Sequence, residues 1–383
     1  MVEKQIRRVG VIGGGQLAWM MAEAAQKLGL ALVIQTPSPE DPAVAIATDT
    51  VFAAIDDATA TAKLNSDVIT FENEFVNLAA LAEIQPPPTF CPSLRSLAPL
   101  LDKFYQRQYL QDLGLPTPGF ASLKAIDTAT LSQFGFPVVL KARRLGYDGQ
   151  GTIVLKDLAA LEAVLSASAF DPETWLLEEF VPFERELAVM AARSLQGDVV
   201  VYPIVETQQV NQVCQRVLIT PDVGGADRNG AIAAVKTIAT TLLTNLDYVG
   251  MMGIEFFLTS SGRVLVNETA PRTHNSGHYS LDACETSQFE QQLRAVSGLP
   301  LGSSQLTCAG AVMVNLLGYE SATCDYLAQR QKIAAILRSH LYWYGKSVSR
   351  PGRKLGHVTV LLEQGDRSEA EAIAQTIESI WYG

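Results

Sequence analysis

Two glutamates in the second half of the chain stand in apolar segments, where acidic residues are costly unless they are paired or bind a metal. Glu255 lies in "GIEFF" and Glu268 in "VNETAPR", and the two segments predict paired β-strands around a Ser-Ser-Gly turn. Their carboxylates and the Asn267 amide are hard oxygen ligands, the kind that Mg²⁺ uses where it bridges nucleotide phosphates. The alternative is a pair of solvated charges at a sheet edge.

A glycine-rich segment, "KARRLGYDGQG" at residues 141–151, combines cations with turn-forming residues. Backbone amides and cationic side chains in such a hairpin can close over a polyphosphate and shield it from water. The residue order of a Walker A loop is absent, so the segment is not a P-loop. A solvated hairpin with an Asp-Gly turn is the alternative.

Two further polar segments suit a small ligand. "RTHNSGHYS" places His274 and His278 four residues apart, but the Asn-Ser-Gly between them argues against the helix that a zinc pair needs. A polar loop beside a ligand is therefore predicted. "KSVSRPGRKLGH" gathers four cations in an otherwise acidic chain and suits a phosphate, with a basic solvated loop as the alternative.

The opening turn "VIGGGQLA" fits the G-x-G-x-x-G/A spacing of dinucleotide-binding folds at Gly13, Gly15 and Ala18. The acidic residue that such folds carry at the end of the second strand is missing, since Gln35 and Thr36 stand there. This counts against a nicotinamide enzyme. The glycines still predict a helix N-terminus that faces an anion such as a phosphate, or a tight βα turn without a ligand.

These segments need elements that position them, and the hydrophobic pattern predicts an α/β first part followed by an α+β middle part. Strands and helices alternate over residues 1–90, which indicates a parallel sheet with helices on both faces. β-rich runs joined by short turns follow and indicate antiparallel pairing, and a smaller mixed unit ends the chain. The predicted strands are 9–12, 31–34, 50–53 and 68–70, and the predicted helices are 16–28, 57–64, 76–84, 97–113 and 227–245.

The bulk composition limits the function classes. The 383 residues suffice for two or three domains, and 48% hydrophobic with 18% charged residues is typical of a globular protein. A net charge of −11 argues against non-specific binding of nucleic acid. Five scattered cysteines indicate reduced thiols rather than disulfides or a zinc site. With no apolar run near the ~18 residues that span a bilayer and no signal peptide, we expect a cytoplasmic protein without a membrane partner.

In chain order these segments, with "TFENE" and "EEFVPFERE" between them, resemble the ATP-grasp enzymes of purine biosynthesis. The pattern is most similar to the 5-(carboxyamino)imidazole ribonucleotide synthase family, over about Val9 to His357, and "APRTHNSGH" followed by "RPGRKLGH" is specific. The resemblance implies an N-terminal Rossmann-like (pre-ATP-grasp) domain at 1–96. It further implies a central ATP-grasp fold at 97–300, with a lid at about 120–182, and a small C-terminal domain at 301–383.

The resemblance implies a site for ATP and two Mg²⁺ ions. Lys141 would contact the phosphates under a loop of residues 146–152, and residues 178–181 would form the hinge that reads the adenine edge. Glu186 would hold the ribose, and Glu255 and Glu268 would bind Mg²⁺. The full ATP-side set is Lys103, Lys141, Gly146, Tyr147, Asp148, Gly149, Gln150, Gly151, Thr152, Glu178, Glu179, Phe180, Val181, Glu186, Gln209, Asn267 and Glu268.

The resemblance also implies a site for a ribonucleotide and bicarbonate between the first and last domains. The catalytic candidates are Tyr147, Asp148, Arg272 and His274. The substrate-binding candidates are Gln16, Leu17, Glu74, Asn275, Lys346, Arg353 and Lys354. The implied partners are aminoimidazole ribonucleotide, bicarbonate, ATP and a second copy of the chain in a homodimer.

Three positions depart from the family pattern. The family usually has Arg where Lys103 stands and Lys where Arg107 stands, which keeps the charge but loses bidentate geometry at the first position. Family members commonly have His where Gln209 stands, which changes one ATP-side contact.

The implied reaction is attack of bicarbonate on the γ-phosphate of ATP, which gives ADP and carboxyphosphate. The exocyclic amine of aminoimidazole ribonucleotide then captures the carboxyl group, or CO₂ released from the intermediate. Such phosphoryl transfer needs positioning and charge neutralisation, which the acidic pair with its metal and the cationic segments would supply. The alternatives are a formate-dependent glycinamide ribonucleotide transformylase of the same fold, an NAD(P)-dependent oxidoreductase and a non-catalytic nucleotide-binding regulator.

Overall fold

A computed structural model describes residues 5–123, 131, 133–144, 146, 151–167 and 170–383. Within these residues the chain forms three β-sheets with helices packed between and around them. No helix in the described residues is long and apolar enough to cross a membrane.

The first sheet confirms the predicted parallel α/β unit. Its strands are β1 (Arg8–Ile12), β2 (Ala31–Thr36), β3 (Asp49–Phe52) and β4 (Val68–Phe71), in the order β3-β2-β1-β4. Its helices are α1 (Gln16–Trp19), α2 (Ala22–Leu28), α3 (Ala58–Thr61) and α4 (Leu78–Ala82). The single helix predicted over 16–28 is wrong, because the Met21 N–H donates to the Ala18 carbonyl three residues back and the helix is interrupted there.

The second sheet is small and antiparallel. It contains β5 (Phe120–Ser122), β6 (Val138–Ala142), β7 (Thr152–Leu155) and β8 (Trp175–Glu179), in the order β5-β8-β6-β7. The nearby helices are α5 (Leu94–Leu97), α6 (Lys103–Asp112) and α7 (Leu158–Leu165). The continuous helix predicted over 97–113 is wrong. Pro99 lies in a 3₁₀ turn, and the Asp102 carboxylate then accepts the Phe104 N–H to begin α6.

The third sheet has nine strands and runs through the middle and the end of the chain. The strands are β9 (Phe183–Arg193), β10 (Val199–Val201), β11 (Val205–Val210), β12 (Val213–Ile219), β13 (Gly250–Thr259), β14 (Val264–Ala270), β15 (Ala311–Leu317), β16 (Ser339–Trp343) and β17 (Lys354–Leu361). The order is β14-β13-β9-β11-β12-β15-β17-β16, with β10 beside β9, and all the pairs are antiparallel. Because β15 pairs with β12, the sheet continues across the domain boundary predicted at residue 300, which stays a prediction.

Helices join the sheets around a shared core. They are α8 (Arg228–Asn245), α9 (Ser280–Ala283), α10 (Gln288–Ser297), α11 (Leu327–Ala334) and α12 (Arg367–Tyr382). The long helix predicted over 227–245 is confirmed as α8. Phe289 and Leu293 of α10 belong to the same buried cluster as Val9 and Val11 of the first sheet. Since α10 also contacts β13, it fixes the first sheet against the third. A cleft lies between the two sheets.

Candidate active site

A cavity of about 1690 Å³ lies where the three sheets meet. With the exception of Gly151, every predicted site residue that the structure describes lines this cavity. Gly151 begins the β7 hairpin with a φ of +79°, and an added Cβ would lie 2.7 Å from the Ala142 Cβ, so glycine is required there. The predicted residues Tyr147, Asp148, Gly149 and Gln150 lie outside the described residues.

The acidic pair sits on neighbouring strands, as predicted. Glu255 of β13 and Glu268 of β14 are directly opposed in the antiparallel register. Burial raises the pKa of Glu255 to about 7, and the charges of Glu268 and Glu186 add to the effect. Burial also acts to raise the pKa of Glu268, but Lys103, which forms an ion pair with it, holds the value below the usual range.

The donor set of this pair fits Mg²⁺. A divalent cation between the two carboxylates would offset the repulsion that raises the pKa of Glu255. The Asn267 Oδ1 lies alongside and accepts a hydrogen bond from Lys141 Nζ at 2.9 Å. Among the described residues no cluster of three His, Cys, Asp or Glu side chains could enclose an ion. Such an open set suits Mg²⁺, which usually takes one or two carboxylates and completes its shell with water and substrate phosphates.

A buried ion network lies beneath the pair and was missed in the sequence. The Glu178 carboxylate is 2% exposed and lies 2.6 Å from Arg107 Nε and 2.8 Å from Lys141 Nζ. Burial opposes its ionisation, but Arg107 and then Lys141 lower the pKa of Glu178 to about 2. Arg107 also donates to the carbonyls of Val266, at 3.1 Å, and Asn267, at 2.6 Å. Arg107 therefore ties the second sheet to the strand that carries the acidic pair.

In the predicted hinge at residues 178–181, both glutamate side chains bind other groups of the protein. Glu178 belongs to the buried network, and Glu179 Oε1 accepts the Gly119 N–H at 2.8 Å. All four residues of the segment line the cavity. The adenine contact of residues 178–181 stays a prediction.

Two stacked aromatic rings add an apolar wall that sequence reasoning missed. Phe183 of β9 and Phe257 of β13 lie with ring centroids 4.7 Å apart and planes 7° apart, and both line the cavity. Their positions follow from the pairing of β9 with β13. Burial raises the pKa of the adjacent Glu186 to about 7, with Lys141 acting against it.

The glycine turn faces an anion, but the anion is the protein's own Glu72. Its carboxylate accepts the N–H groups of Gly15 at 2.6 Å, Leu17 at 3.0 Å and Ala18 at 3.4 Å. An added Cβ at Gly15 would lie 2.6 Å from Glu72 Oε1, which explains the glycine. The prediction of a ligand phosphate at this helix start is corrected accordingly. Gln16 and Leu17 line the cavity, and their contact with substrate stays a prediction.

The two predicted catalytic residues that the structure describes, Arg272 and His274, lie on the loop after β14. Arg272 Nη2 forms an ion pair with Glu74 Oε1 at 3.0 Å. His274 Nδ1 lies 2.7 Å from Ser276 Oγ, and its Nε2 lies 3.8 Å from Glu255 Oε1. Burial lowers the pKa of His274 well below its usual value, and Arg272 and Lys354 lower it further, so the ring is neutral. A neutral, hydrogen-bonded imidazole is suited to orient a ligand.

Four of the substrate-side candidates, Asn275, Lys346, Arg353 and Lys354, come from the second half of the chain and line the cavity. The amides of Asn275 and Asn315 pair reciprocally, with N···O distances of 2.9 and 2.7 Å. In the basic segment, Lys346 Nζ donates to the Lys354 carbonyl at 2.9 Å, and Arg353 Nη1 donates to the Val348 carbonyl at 2.5 Å. These bonds hold the segment in a compact shape, here called the cationic wall, and its cations line the same cavity as the acidic pair.

Three family models match consecutive parts of the chain. The ribonucleotide synthetase preATP-grasp domain matches residues 6–99, and the ATP-grasp domain matches residues 108–289. The phosphoribosylaminoimidazole carboxylase C-terminal domain matches residues 311–371. The matches confirm the predicted three-part architecture.

Relatives match over nearly the whole length. The N5-carboxyaminoimidazole ribonucleotide synthase of Synechococcus elongatus is 55% identical over 98% of this chain and 96% of its own. The crystal structure of the N5-carboxyaminoimidazole ribonucleotide synthetase from Thermotoga maritima has a TM-score of 0.84 at 38% identity, covering 98% of both chains. The Aspergillus clavatus N5-carboxyaminoimidazole synthase, solved with ADP and 5-aminoimidazole ribonucleotide, has a TM-score of 0.87 at 28% identity and covers 98% of both chains. The chain belongs to the N5-carboxyaminoimidazole ribonucleotide synthase family of ATP-grasp enzymes.

Proposed function

We propose that this protein carboxylates 5-aminoimidazole ribonucleotide with ATP and bicarbonate, to give N5-carboxyaminoimidazole ribonucleotide and ADP. The observation that carries the proposal is one cavity that is lined both by an acidic pair with two lysines and by the cationic wall. One side suits a metal-bound triphosphate and the other a phosphoribosyl group. Family membership supports the same substrates.

On the ATP side, the roles follow from the contacts. Lys141 and Lys103 lie beside Asn267 and Glu268, where their ammonium groups would neutralise phosphate oxygens. The stacked rings of Phe183 and Phe257 offer a flat apolar surface for a base. Glu255 and Glu268 would hold Mg²⁺, two ions by family resemblance, and the metal when bound supplies charge neutralisation to the transferring phosphoryl group.

On the substrate side, Arg272 and His274 line the cavity, and His274 Nε2 lies 3.8 Å from Glu255 Oε1 of the acidic pair. The Arg272 guanidinium, paired with Glu74, can orient an anionic carboxyl or carboxyphosphate oxygen. The neutral His274 can hydrogen bond to the same group without adding charge. Lys346, Arg353 and Lys354 would hold the ribonucleotide phosphate, which places the exocyclic amine toward the loop after β14. Enclosure from water matters because carboxyphosphate hydrolyses readily.

Substrate pairs test the proposal directly. ATP with bicarbonate and aminoimidazole ribonucleotide should give ADP release that depends on both, whereas formate with glycinamide ribonucleotide should not. ATP binding without substrate-dependent ADP release would indicate a regulator instead of an enzyme. A nicotinamide-linked absorbance change would indicate an oxidoreductase, but the Glu72 carboxylate already occupies the turn that a dinucleotide would need.

Glu268→Gln is expected to abolish turnover and leave the fold intact, because the amide cannot supply the second anionic ligand. The matched control is Glu184→Gln on neighbouring β9, whose side chain is 48% exposed and lies away from the cavity wall. Circular dichroism checks the fold and a coupled assay measures ADP release. Ordinary bicarbonate-dependent turnover by Glu268→Gln would contradict the metal assignment.

The oligomeric state and the cellular location are part of the same proposal. Family resemblance predicts a homodimer, and the sequence predicts a cytoplasmic location. Sedimentation equilibrium of the purified chain and fractionation of its source cells test the two expectations separately.

A further inference from the structure

Helix α10 carries three glutamines that are almost completely buried. Gln288, Gln291 and Gln292 are each exposed by 1% or less. A buried amide is costly unless both its oxygen and its nitrogen find partners, so each of these side chains must hold specific groups. Gln288 is the one that faces the loop carrying the predicted catalytic residues.

Gln288 clamps the backbone of His274 from both sides. Its Oε1 accepts the His274 N–H at 2.9 Å, and its Nε2 donates to the His274 carbonyl at 2.8 Å. Because a backbone N–H can only donate and a carbonyl can only accept, the amide has one possible orientation. The Gln288 N–H is itself fixed by Ser280 Oγ at 2.9 Å. The clamp therefore sets the backbone from which the His274 and Asn275 side chains project.

The same amide decides where His278 carries its proton. Gln288 Nε2 lies 3.0 Å from His278 Nδ1, and an amide nitrogen can only donate, so Nδ1 accepts. Burial lowers the pKa of His278 well below its usual value, which leaves the ring neutral with its proton on Nε2. In the described part of the chain this buried Nε2 has no hydrogen-bond partner, and the ring lines the cavity.

We propose that Gln288 is a positioning residue for the carboxylation. It holds the His274 backbone in place and keeps the buried His278 ring beside the cavity in the tautomer that carries its proton on Nε2. The kinetic part rests on the proposed function, while the proton position on His278 does not. Gln288 acts through the histidines and touches no reacting group itself.

The chain offers a matched control three residues away. Gln291 makes the same two-sided clamp on Gly302, with Oε1 accepting its N–H and Nε2 donating to its carbonyl, both at 2.8 Å. It is equally buried on the same helix, but Gly302 does not line the cavity. A general loss of packing would affect Gln288→Glu and Gln291→Glu alike, whereas positioning would affect the first alone.

The kinetic experiment compares these two variants of the full-length protein. A glutamate at position 288 cannot donate to the His274 carbonyl or to His278, so kcat/KM for aminoimidazole ribonucleotide should fall about 10- to 100-fold. KM for ATP should stay within about twofold, because the ATP side is held by β13, β14 and Lys141. Gln291→Glu should keep both constants within about twofold. Equal losses in the two variants, or none in Gln288→Glu, would overturn the proposal.

The second experiment measures the proton position without any turnover. The chain has only four histidines, so the ¹⁵N signals of labelled wild-type protein can be assigned by single substitution. His278 should show a protonated Nε2 and a bare Nδ1. A proton on Nδ1 would overturn the proposal even if Gln288→Glu fails to fold. If the wild type shows no carboxylase activity but the expected signals, the proposed function fails and the clamp on His278 stands.

Discussion

Replacing Glu255 by glutamine should stabilise the metal-free protein at pH 8 and lower its enzymatic activity. Burial, with the charges of Glu268 and Glu186, raises the pKa of Glu255 from its usual 4.5 to about 7. Because the unfolded chain ionises near the lower value, the native state binds more protons between the two. The free energy of unfolding therefore falls as pH rises from about 4.5 to about 7 and stays reduced above that range.

The size of the effect follows from the pKa difference. Each tenfold change in proton affinity corresponds to about 1.4 kcal/mol, so ionised Glu255 costs the fold at most about 3.4 kcal/mol. The side chain is 23% exposed to the cavity, where water screens part of the repulsion. A net gain of about 1–2 kcal/mol for Glu255→Gln at pH 8 is a realistic expectation, equivalent to a few degrees in melting temperature.

Thermal unfolding with a chelator at pH 5 and pH 8 measures this gain. Glu255→Gln should melt above the wild type at pH 8 and close to it at pH 5, whereas exposed Glu40→Gln should match the wild type at both. Mg²⁺ with ADP should raise the melting temperature of the wild type more than that of Glu255→Gln. Equal or lower stability of Glu255→Gln at pH 8, or the same gain at pH 5, would refute the electrostatic reasoning.

Two further substitutions test the contacts that hold the site. Glu72→Gln turns one acceptor oxygen into a donor that faces backbone N–H groups, so the free energy of unfolding should fall by about 2–3 kcal/mol. Thermal unfolding measures this loss, and an unchanged melting temperature would show that Glu72 does not anchor the glycine turn. Arg107→Met leaves Glu178 and two carbonyls without their main partner and should cost about 3–5 kcal/mol. Arg144→Met is its control, since that side chain is 64% exposed and should cost less than about 1 kcal/mol.

The glycine turn shows how far local spacing predicts a site. The glycines and the apolar flanks correctly predict a strand, a tight turn and a helix start that faces an anion. They cannot identify the anion, because Glu72 lies 57 residues beyond Gly15 in the chain. It arrives there because β4 pairs with β1 in parallel and Ile12 is opposite Phe71, so the next residue reaches the turn. The signal that could have found it is an acidic residue directly after a buried strand.

The predicted helix boundaries were wrong where the local backbone conformation outweighed the hydrophobic pattern. The apolar residues from Leu17 to Leu28 keep a helical period, but the break at Met20 and Met21 depends on a hydrogen bond that the period does not encode. The break near Pro99 was visible in principle, since proline lacks the N–H that a helix interior needs. The continuation of the third sheet into β15 was not visible, because strand pairing depends on contacts between residues far apart in the chain.

The structure explains the residue types of Lys103 and Arg107 on α6, which the sequence alone does not. The family resemblance implies that Lys103 and Arg107 exchange the usual residue types, and the sequence shows only that the charge is kept. In the structure Arg107 donates to three acceptors, namely the Glu178 carboxylate and the carbonyls of Val266 and Asn267. A guanidinium can serve them together, whereas an ammonium on a flexible stem holds such a set less rigidly. Lys103 has the simpler task of pairing with Glu268, which a point charge performs. The implied exchange thus places the planar donor on the buried side of α6, where it binds the strand that carries the acidic pair.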